Sequence, residues 1–316
     1  MKINLKVTSR IKQYLSISLI AVVVSLGLFF FKGLNYGIDF SGGNLIQIQY
    51  KEKMVSLNEV NENLNVLVEK IPQLSSNSRK VQISDDGTII IRTQEITEAE
   101  QNMILSNLKE LGEYNLDKVE KVGASVGEDL KKSAIYSLGI GSLLIVLYIT
   151  LRFEFTFAIA GIITLLHDII IAIGVISFLH YEVDTPFIAA ILTILGYSIN
   201  DTIVIFDRIR ENLRRIKQNN WTLEQCMDIS VDQTMVRSLN TTITTLFAVV
   251  AILVFGGDSL KTFIVTLLVG ISAGSYSSIF VATPIVYLLN KRKNKDMGDI
   301  FKEEDESEER KEKILV

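Results

Sequence analysis

Four ionisable side chains stand inside apolar runs of this 316-residue chain: His167 and Asp168 in "LLHDIIIAIGV", Asp201 in "LGYSINDTIVIF", and Arg237 at the head of "RSLNTTITTL". A charge in hydrocarbon is costly, and residues of this kind mark proton routes, counter-ions or bonds between helices. Burial disfavours a carboxylate anion whereas a nearby guanidinium favours it, so Asp201 set beside Arg237 would gain or lose one proton at little energetic cost. Guanidinium stays protonated in proteins, which makes Arg237 a permanent counter-charge. His167 next to Asp168 offers a second protonatable pair, and its imidazole could equally serve only to satisfy the carboxylate.

Helical geometry gives these groups polar company. Asp201 shares a face with Ile194, Tyr197, Ser198, Val204 and Ile205, while Asn200 lies to one side in a row with Thr193 and Gly196. Arg237 is followed by Asn240, Thr241, Thr242, Thr244 and Thr245, a polar row that can bind water or join helices. Two readings stay open on the residues alone. In one, Asp201, Arg237, Asp168 and His167 form a proton relay supported by Asn200, Asn240 and Thr241; in the other, they are a fixed ion pair and hydrogen bonds that specify packing. Asp207, Arg208 and Arg210 read as markers of the membrane boundary.

Other chemistry drops out. One cysteine, Cys226, and two separated histidines supply neither a disulfide framework nor a metal cluster of recognisable spacing. No nucleophile–base pair or phosphate loop is present, so the expectation is a non-enzyme without a cofactor. The net charge of −4 and the acidic stretch "EEDESEER" argue against nucleic acid as a partner.

The elements that must position the four side chains are membrane helices. Hydrophobic residues make up 48% of the chain. Apolar runs near 14–31, 133–151, 155–179, 185–206, 237–255 and 262–289 each approach or exceed the roughly 20 residues needed to span a bilayer. The first follows a basic start but has no small-residue cleavage site before Lys32, and is read as a retained anchor. Lysine and arginine gather before the first run, after the fourth and after the sixth, while "HYEVD" and "GGDS" carry neither. The positive-inside rule therefore puts both termini in the cytoplasm.

The expected organisation is a cytoplasmic N-terminus (1–13), a first span (14–31), an extracytoplasmic domain (32–132), five further spans within 133–289 with a cytoplasmic loop at 207–236, and a charged tail (290–316). In the outer domain, alternating "NLIQIQY", "KVQIS" and "TIIIRT", with a turn at "DDG", and a last strand near "DKVEKVG" are interleaved with helices at the capping boxes Ser56–Glu59 and Thr97–Glu100. The order β-α-β-β-α-β predicts a ferredoxin-like fold. A further capping box, Thr222–Gln225, predicts a cytoplasmic helix lying against the membrane. "GIDFSGG", with Gly37, Asp39, Gly42 and Gly43, reads as a structural turn before the first strand. Rows of small residues, Gly139 with Gly141 and Gly270 with Ala273 and Gly274, predict close helix contacts.

Taken together, "GIDFSGG", "VGASVGEDL", "LLHDIIIAIGV", "GYSINDTIVIFDRIREN" and "RSLNTTITTL", in this order, closely resemble the SecF side of the SecD/SecF family of protein-export membrane subunits. The resemblance covers nearly the whole chain. It implies half of a resistance-nodulation-division type transporter, completed by a separate SecD-like subunit, in the bacterial inner or cytoplasmic membrane. It further implies action beside the SecYEG channel, where inward-moving protons help to draw out an unfolded polypeptide. The family's intramembrane aspartate falls on Asp201 and its arginine on Arg237. A proton is the implied coupling ion, with sodium as the alternative, and membrane lipid is the surrounding partner. Two other functions stand against this one: a scaffold that joins SecD to the channel without proton coupling, and half of a small-molecule or lipid exporter of the same superfamily.

Overall fold

Backbone polar groups find no water in hydrocarbon, so apolar runs of this length satisfy their hydrogen bonds internally as helices. A computed structural model describes residues 6–51, 55–84, 87–216, 218–257 and 260–293. Asp85 and Asp86 of the expected "DDG" turn, the last two residues of "GGDS" and the charged tail beyond 293 lie outside the described residues.

Among the described residues, six helical stretches are long and apolar enough to cross a membrane. They are built from α1 (Ile11–Lys32), α5 (Ala124–Arg152), α6 (Phe155–Leu179), α7 (Thr185–Arg214), α8 (Leu223–Phe255), and a last stretch made of α9 (Lys261–Ser277), a π-helical turn (Ser278–Ala282) and α10 (Thr283–Lys293). The expected separate helix after Thr222 is instead the first part of α8. Its capping box forms at Thr222–Gln225, and no glycine or proline interrupts the chain before the apolar run. Most of the length of these spans falls into one compact unit comprising Met1–Asn35, Ser137–Glu182 and Pro186–Val316, while the first part of α5 belongs to the other.

In that unit Phe153, Phe157 and Phe206 form an edge-to-face cluster, with Phe206 centred 5.7 Å from Phe153 and 5.1 Å from Phe157. Gly270 and Gly274 of α9 let α7 approach closely. A Cβ on Gly270 would meet the Ile194 side chain at 2.2 Å, and one on Gly274 would meet Ser198 at 3.0 Å. Gly139 has open space where its side chain would be, so that part of the small-residue expectation does not correspond to a contact. Burial is uneven: 61% of the apolar window of the last span is buried against 6% for α5, which leaves α5 at the rim of the bundle. Tyr287 of α10 donates to Glu224 at the start of α8, 2.5 Å away.

The second unit, Tyr36–Tyr136 with Val183–Thr185, is the α+β domain. After β1 (Asn35–Tyr36) and the short α2 (Ile38–Ser41) come β2 (Gly43–Tyr50), α3 (Leu57–Asn65), β3 (Arg79–Ile83), β4 (Thr88–Thr93), α4 (Glu98–Leu108) and β5 (Tyr114–Val122). The four longer strands form an antiparallel sheet in the order β3-β4-β2-β5, the ferredoxin-like arrangement. Ile46, Ile48, Ile89 and Ile91 on one sheet face pack against Val60, Leu64, Ile104 and Leu108 of the two helices. Both expected capping boxes form, at Ser56–Glu59 and Thr97–Glu100.

Two features of this unit are specific to its sequence. Gly43 has φ +118°, and a Cβ there would lie 2.2 Å from the Thr93 carbonyl oxygen, so β2 and β4 can pair at this point only around glycine. Arg79 is buried, and burial lowers its pKa. Its guanidinium donates to the Leu74 carbonyl (2.7 Å), Asn61 Oδ1 and Asn65 Oδ1 (2.7 Å), tying β3 to α3. The Tyr50 phenol donates to the Leu108 carbonyl at 2.8 Å, and burial and the neighbouring Tyr114 push its pKa up to about 12.

Two intramembrane carboxylate sites

Asp168 is the more enclosed of the two carboxylates, with 1% of its surface exposed. It sits on α6 and is held from three directions. His167 Nδ1 lies 2.9 Å from Oδ1. The Ser198 hydroxyl of α7 donates to Oδ2 at 2.5 Å, and the Ser277 hydroxyl at the end of α9 donates to the same oxygen at 2.9 Å. With a carboxylate facing Nδ1, the imidazole carries its proton there and donates.

The local sequence explains this convergence. Gly274 lets Ser198 reach the seam between α6 and α9, and one turn later Thr202 pairs with Ser278 at 2.9 Å. Ser278 opens the π-helical turn and returns its hydroxyl to the Gly274 carbonyl, and Ser277 just before it shares its one hydroxyl proton between that carbonyl and Asp168. Hydroxyls competing for helix carbonyls in this way are a known cause of local irregularity. The His167 ring stacks on Tyr276, 6.4 Å between centroids, and its Nε2 is buried without a hydrogen-bond partner among the described residues.

Asp201 lies one turn beyond Ser198 on α7 and is also buried. Its partner is the Ser238 hydroxyl of α8, which donates to Oδ2. Among the described residues no ion pair joins it to Arg237, whose guanidinium is exposed on α8 yet near enough to act on the Asp201 carboxylate through its charge. The reason is helical. Successive residues are turned by about 100°, so with Ser238 facing α7, Arg237 cannot lie on the same line.

The other expected residues also divide. Asn200, Asn240 and Thr241 are exposed, and Thr241 returns its hydroxyl to the Arg237 carbonyl at 2.9 Å. Together with Arg237, Thr193 and Thr244 they form a polar stripe that faces out from an otherwise apolar surface of α7 and α8. Gly42 and Gly43 take the positive-φ conformations that the turn reading requires, and Gly37 precedes α2 in extended backbone. Asp39 has a specific partner, the Thr185 N–H, 2.9 Å away. Sequence reasoning missed Ser238, Ser277, Ser278 and Thr202. The available signal was a polar row at helical spacing, Ser230, Thr234, Ser238 and Thr242, all buried on α8.

A six-span bundle with two buried carboxylates, carrying one ferredoxin-like domain after its first helix, defines a multi-pass membrane protein. Residues 103–292 match the family model "Protein export membrane protein SecD/SecF, C-terminal", and residues 27–54 match the "SecD/SecF GG Motif". The chain belongs to the SecD/SecF family of protein-export membrane proteins, among its SecF members. It is 49% identical over 291 residues to the protein translocase subunit SecF of Sebaldella termitidis, covering 92% of this chain and 93% of that one. It is 37% identical to SecF of Calditerrivibrio nitroreducens, over 90% of this chain and 94% of that one. The crystal structure of SecDF, a translocon-associated membrane protein from Thermus thermophilus, superposes with a TM-score of 0.77 at 31% identity. That match covers 90% of this chain and 38% of the longer SecDF chain.

Proposed function

We propose that this chain works with a SecD-related subunit beside the SecYEG channel and uses the proton-motive force to promote export of unfolded polypeptide. The observation that carries the reading is Asp201, a buried carboxylate met by a single serine hydroxyl, next to an exposed polar stripe that includes a permanent cation. Arg237, Asn200 and Asn240 cannot stand against lipid without a large penalty, so they call for a polar partner helix. A SecD-related half, fused to its counterpart in the SecDF relative, supplies helices in that position.

In this assembly Asp201 exchanges the proton, and Arg237 balances its charge from the partner interface. His167 and Asp168 take part in the relay or hold its helices in register. The N-terminus and the tail lie in the cytoplasm of a bacterial cell and residues 32–132 outside. The coupling ion is a proton, with sodium as the competing ion. One proton crossing the membrane supplies about 2.3 kcal/mol per 100 mV, enough to bias a two-state cycle and not to unfold a stable domain.

The scaffold reading keeps one observation in its favour: the Asp168 network is satisfied within the chain, as a packing device would be. Vesicles containing the chain, its SecD-related partner and the channel separate the two. Asp201→Asn and Arg237→Met should each abolish proton-dependent export while leaving membrane insertion and partner binding intact. Normal export by Asp201→Asn at every proton-motive force would leave the scaffold. Repeating the measurement with sodium in place of the proton gradient identifies the ion.

A further inference from the structure

The segment that leaves α1 is laced to the connector between α6 and α7. Ser177 donates to the Gly33 carbonyl at 2.7 Å, and Lys32 Nζ to the Phe178 carbonyl at 2.6 Å. Asn35 Nδ2 reaches the His180 carbonyl at 3.1 Å, Gly37 N–H the Val183 carbonyl at 2.9 Å, and Thr185 N–H the Asp39 carboxylate at 2.9 Å. From Asn35 to Asp39 and from His180 to Thr185 both strands of the ladder run in the same direction, so it ends where α7 begins.

That last rung has an unusual partner. The first N–H groups of a helix have no acceptor within it, and Pro186 has none to offer, so the Thr185 N–H is one of the few donors α7 presents at its start. A carboxylate there satisfies the donor and also sits favourably at the positive end of the helix dipole. The boundary between the two compact units falls inside this same turn: Thr185 groups with the α+β unit and Pro186 with the bundle. Sixteen residues beyond Thr185 on the same helix is Asp201.

We propose that Asp39 is a positioning residue for coupling: its carboxylate holds the start of α7 to the turn that leads into the α+β unit, so that a change at Asp201 is transmitted along α7 to that unit. This rests on the reading that Asp201 exchanges the coupling ion. It assigns to "GIDFSGG" a role beyond shaping the turn. Asp39 acts as a hydrogen-bond acceptor, so an amide oxygen at that position should substitute for the carboxylate.

Vesicles containing the chain, a SecD-related partner and the channel test this with two readouts, proton uptake by a pH-sensitive dye and export of a secretory polypeptide by protease protection. Asp39→Ala should lower export about fivefold, the size expected for loss of one helix cap, with proton uptake within about twofold of the parent. Asp39→Asn should retain more than half of the export, and Thr185→Pro, which deletes the donor while suiting the first helical position, should reproduce Asp39→Ala. Hydrogen exchange of the purified chain reads the cap directly: the amide of Thr185 should exchange about fivefold faster in Asp39→Ala than in Asp39→Asn. Parental export by Asp39→Ala, export and proton uptake falling in proportion, or Asp39→Asn failing as Asp39→Ala does would overturn the proposal. Absence of proton uptake in the parent vesicles would instead remove the reading of Asp201 on which it stands, while the exchange measurement would still decide whether Asp39 caps α7.

Discussion

Ser238 donates its hydroxyl to the carboxylate of Asp201, and the exposed guanidinium of the neighbouring Arg237 reaches that carboxylate through its charge without forming an ion pair among the described residues. Among the described residues the carboxylate therefore has a neutral hydrogen-bond partner, and the guanidinium stands on the exposed polar stripe. Ser238→Ala removes the only side-chain hydrogen bond made to Asp201 among the described residues, a charge-assisted contact of about 1.5–3 kcal/mol. Export by this variant should need a larger proton-motive force than the parent, which a titration of export against membrane potential will measure. Asp201→Asn should fail at every potential.

Asp168 behaves differently because three donors depend on it. Asp168→Ala leaves the Ser198 hydroxyl and the His167 imidazole unpaired in a buried site and Ser277 with only the Gly274 carbonyl, and should destabilise the bundle by about 3–5 kcal/mol. Thermal unfolding in detergent reads this directly. Ser198→Ala and Ser277→Ala share the acceptor Oδ2, so their double-mutant cycle should show coupling of about 0.5–3 kcal/mol.

Much of this was legible before the structure, and for a physical reason. Apolar length and rare charges are strong signals in a membrane chain, so the spans and the four ionisable residues stood out. Serines did not, because a serine in an apolar run reads equally as filler, lipid-facing small residue or ligand to a carboxylate. Ser238 and Ser277 acquire their meaning from which helix lies opposite. The same limit applied to α8: Asp228, Asp232 and Arg237 depress its hydropathy and suggest a break, whereas the backbone, with neither glycine nor proline before Gly256, continues as one helix. Ferredoxin-like order was legible from caps and alternation, but the Arg79 cluster depends on residues far apart in sequence.

A fragment of residues 40–125 should fold in water without lipid, since its core, two capping boxes and four-stranded sheet are complete within it. Arg79→Leu in that fragment should cost about 2–4 kcal/mol, because the Asn61 and Asn65 side chains and the Leu74 carbonyl lose a charged donor together. Urea unfolding followed by circular dichroism gives the value; a change below about 0.5 kcal/mol, the level of an ordinary surface substitution, would show that neutral acceptors regain water freely.

Glycine positions in the same unit should separate by space as well as by φ. Gly43→Ala meets the Thr93 carbonyl and should prevent β2 and β4 from pairing at that end, seen as lost folding of the fragment. Gly87→Ala also carries a positive φ, +83°, but meets nothing within 4 Å among the described residues, so its cost should stay near 1–2 kcal/mol, the backbone penalty alone.

The π-helical turn at Ser278–Ala282 amounts to one surplus residue absorbed into a helix. Removing any single residue from it would let α9 and α10 join as ordinary α-helix and would rotate everything after it by about 100°. Ser277, which precedes the turn, would keep Asp168, whereas Tyr287 would swing away from Glu224. Evolution can therefore exchange side chains in this stretch far more readily than it can change its length, and insertions or deletions in related chains should be excluded here even where their sequences diverge.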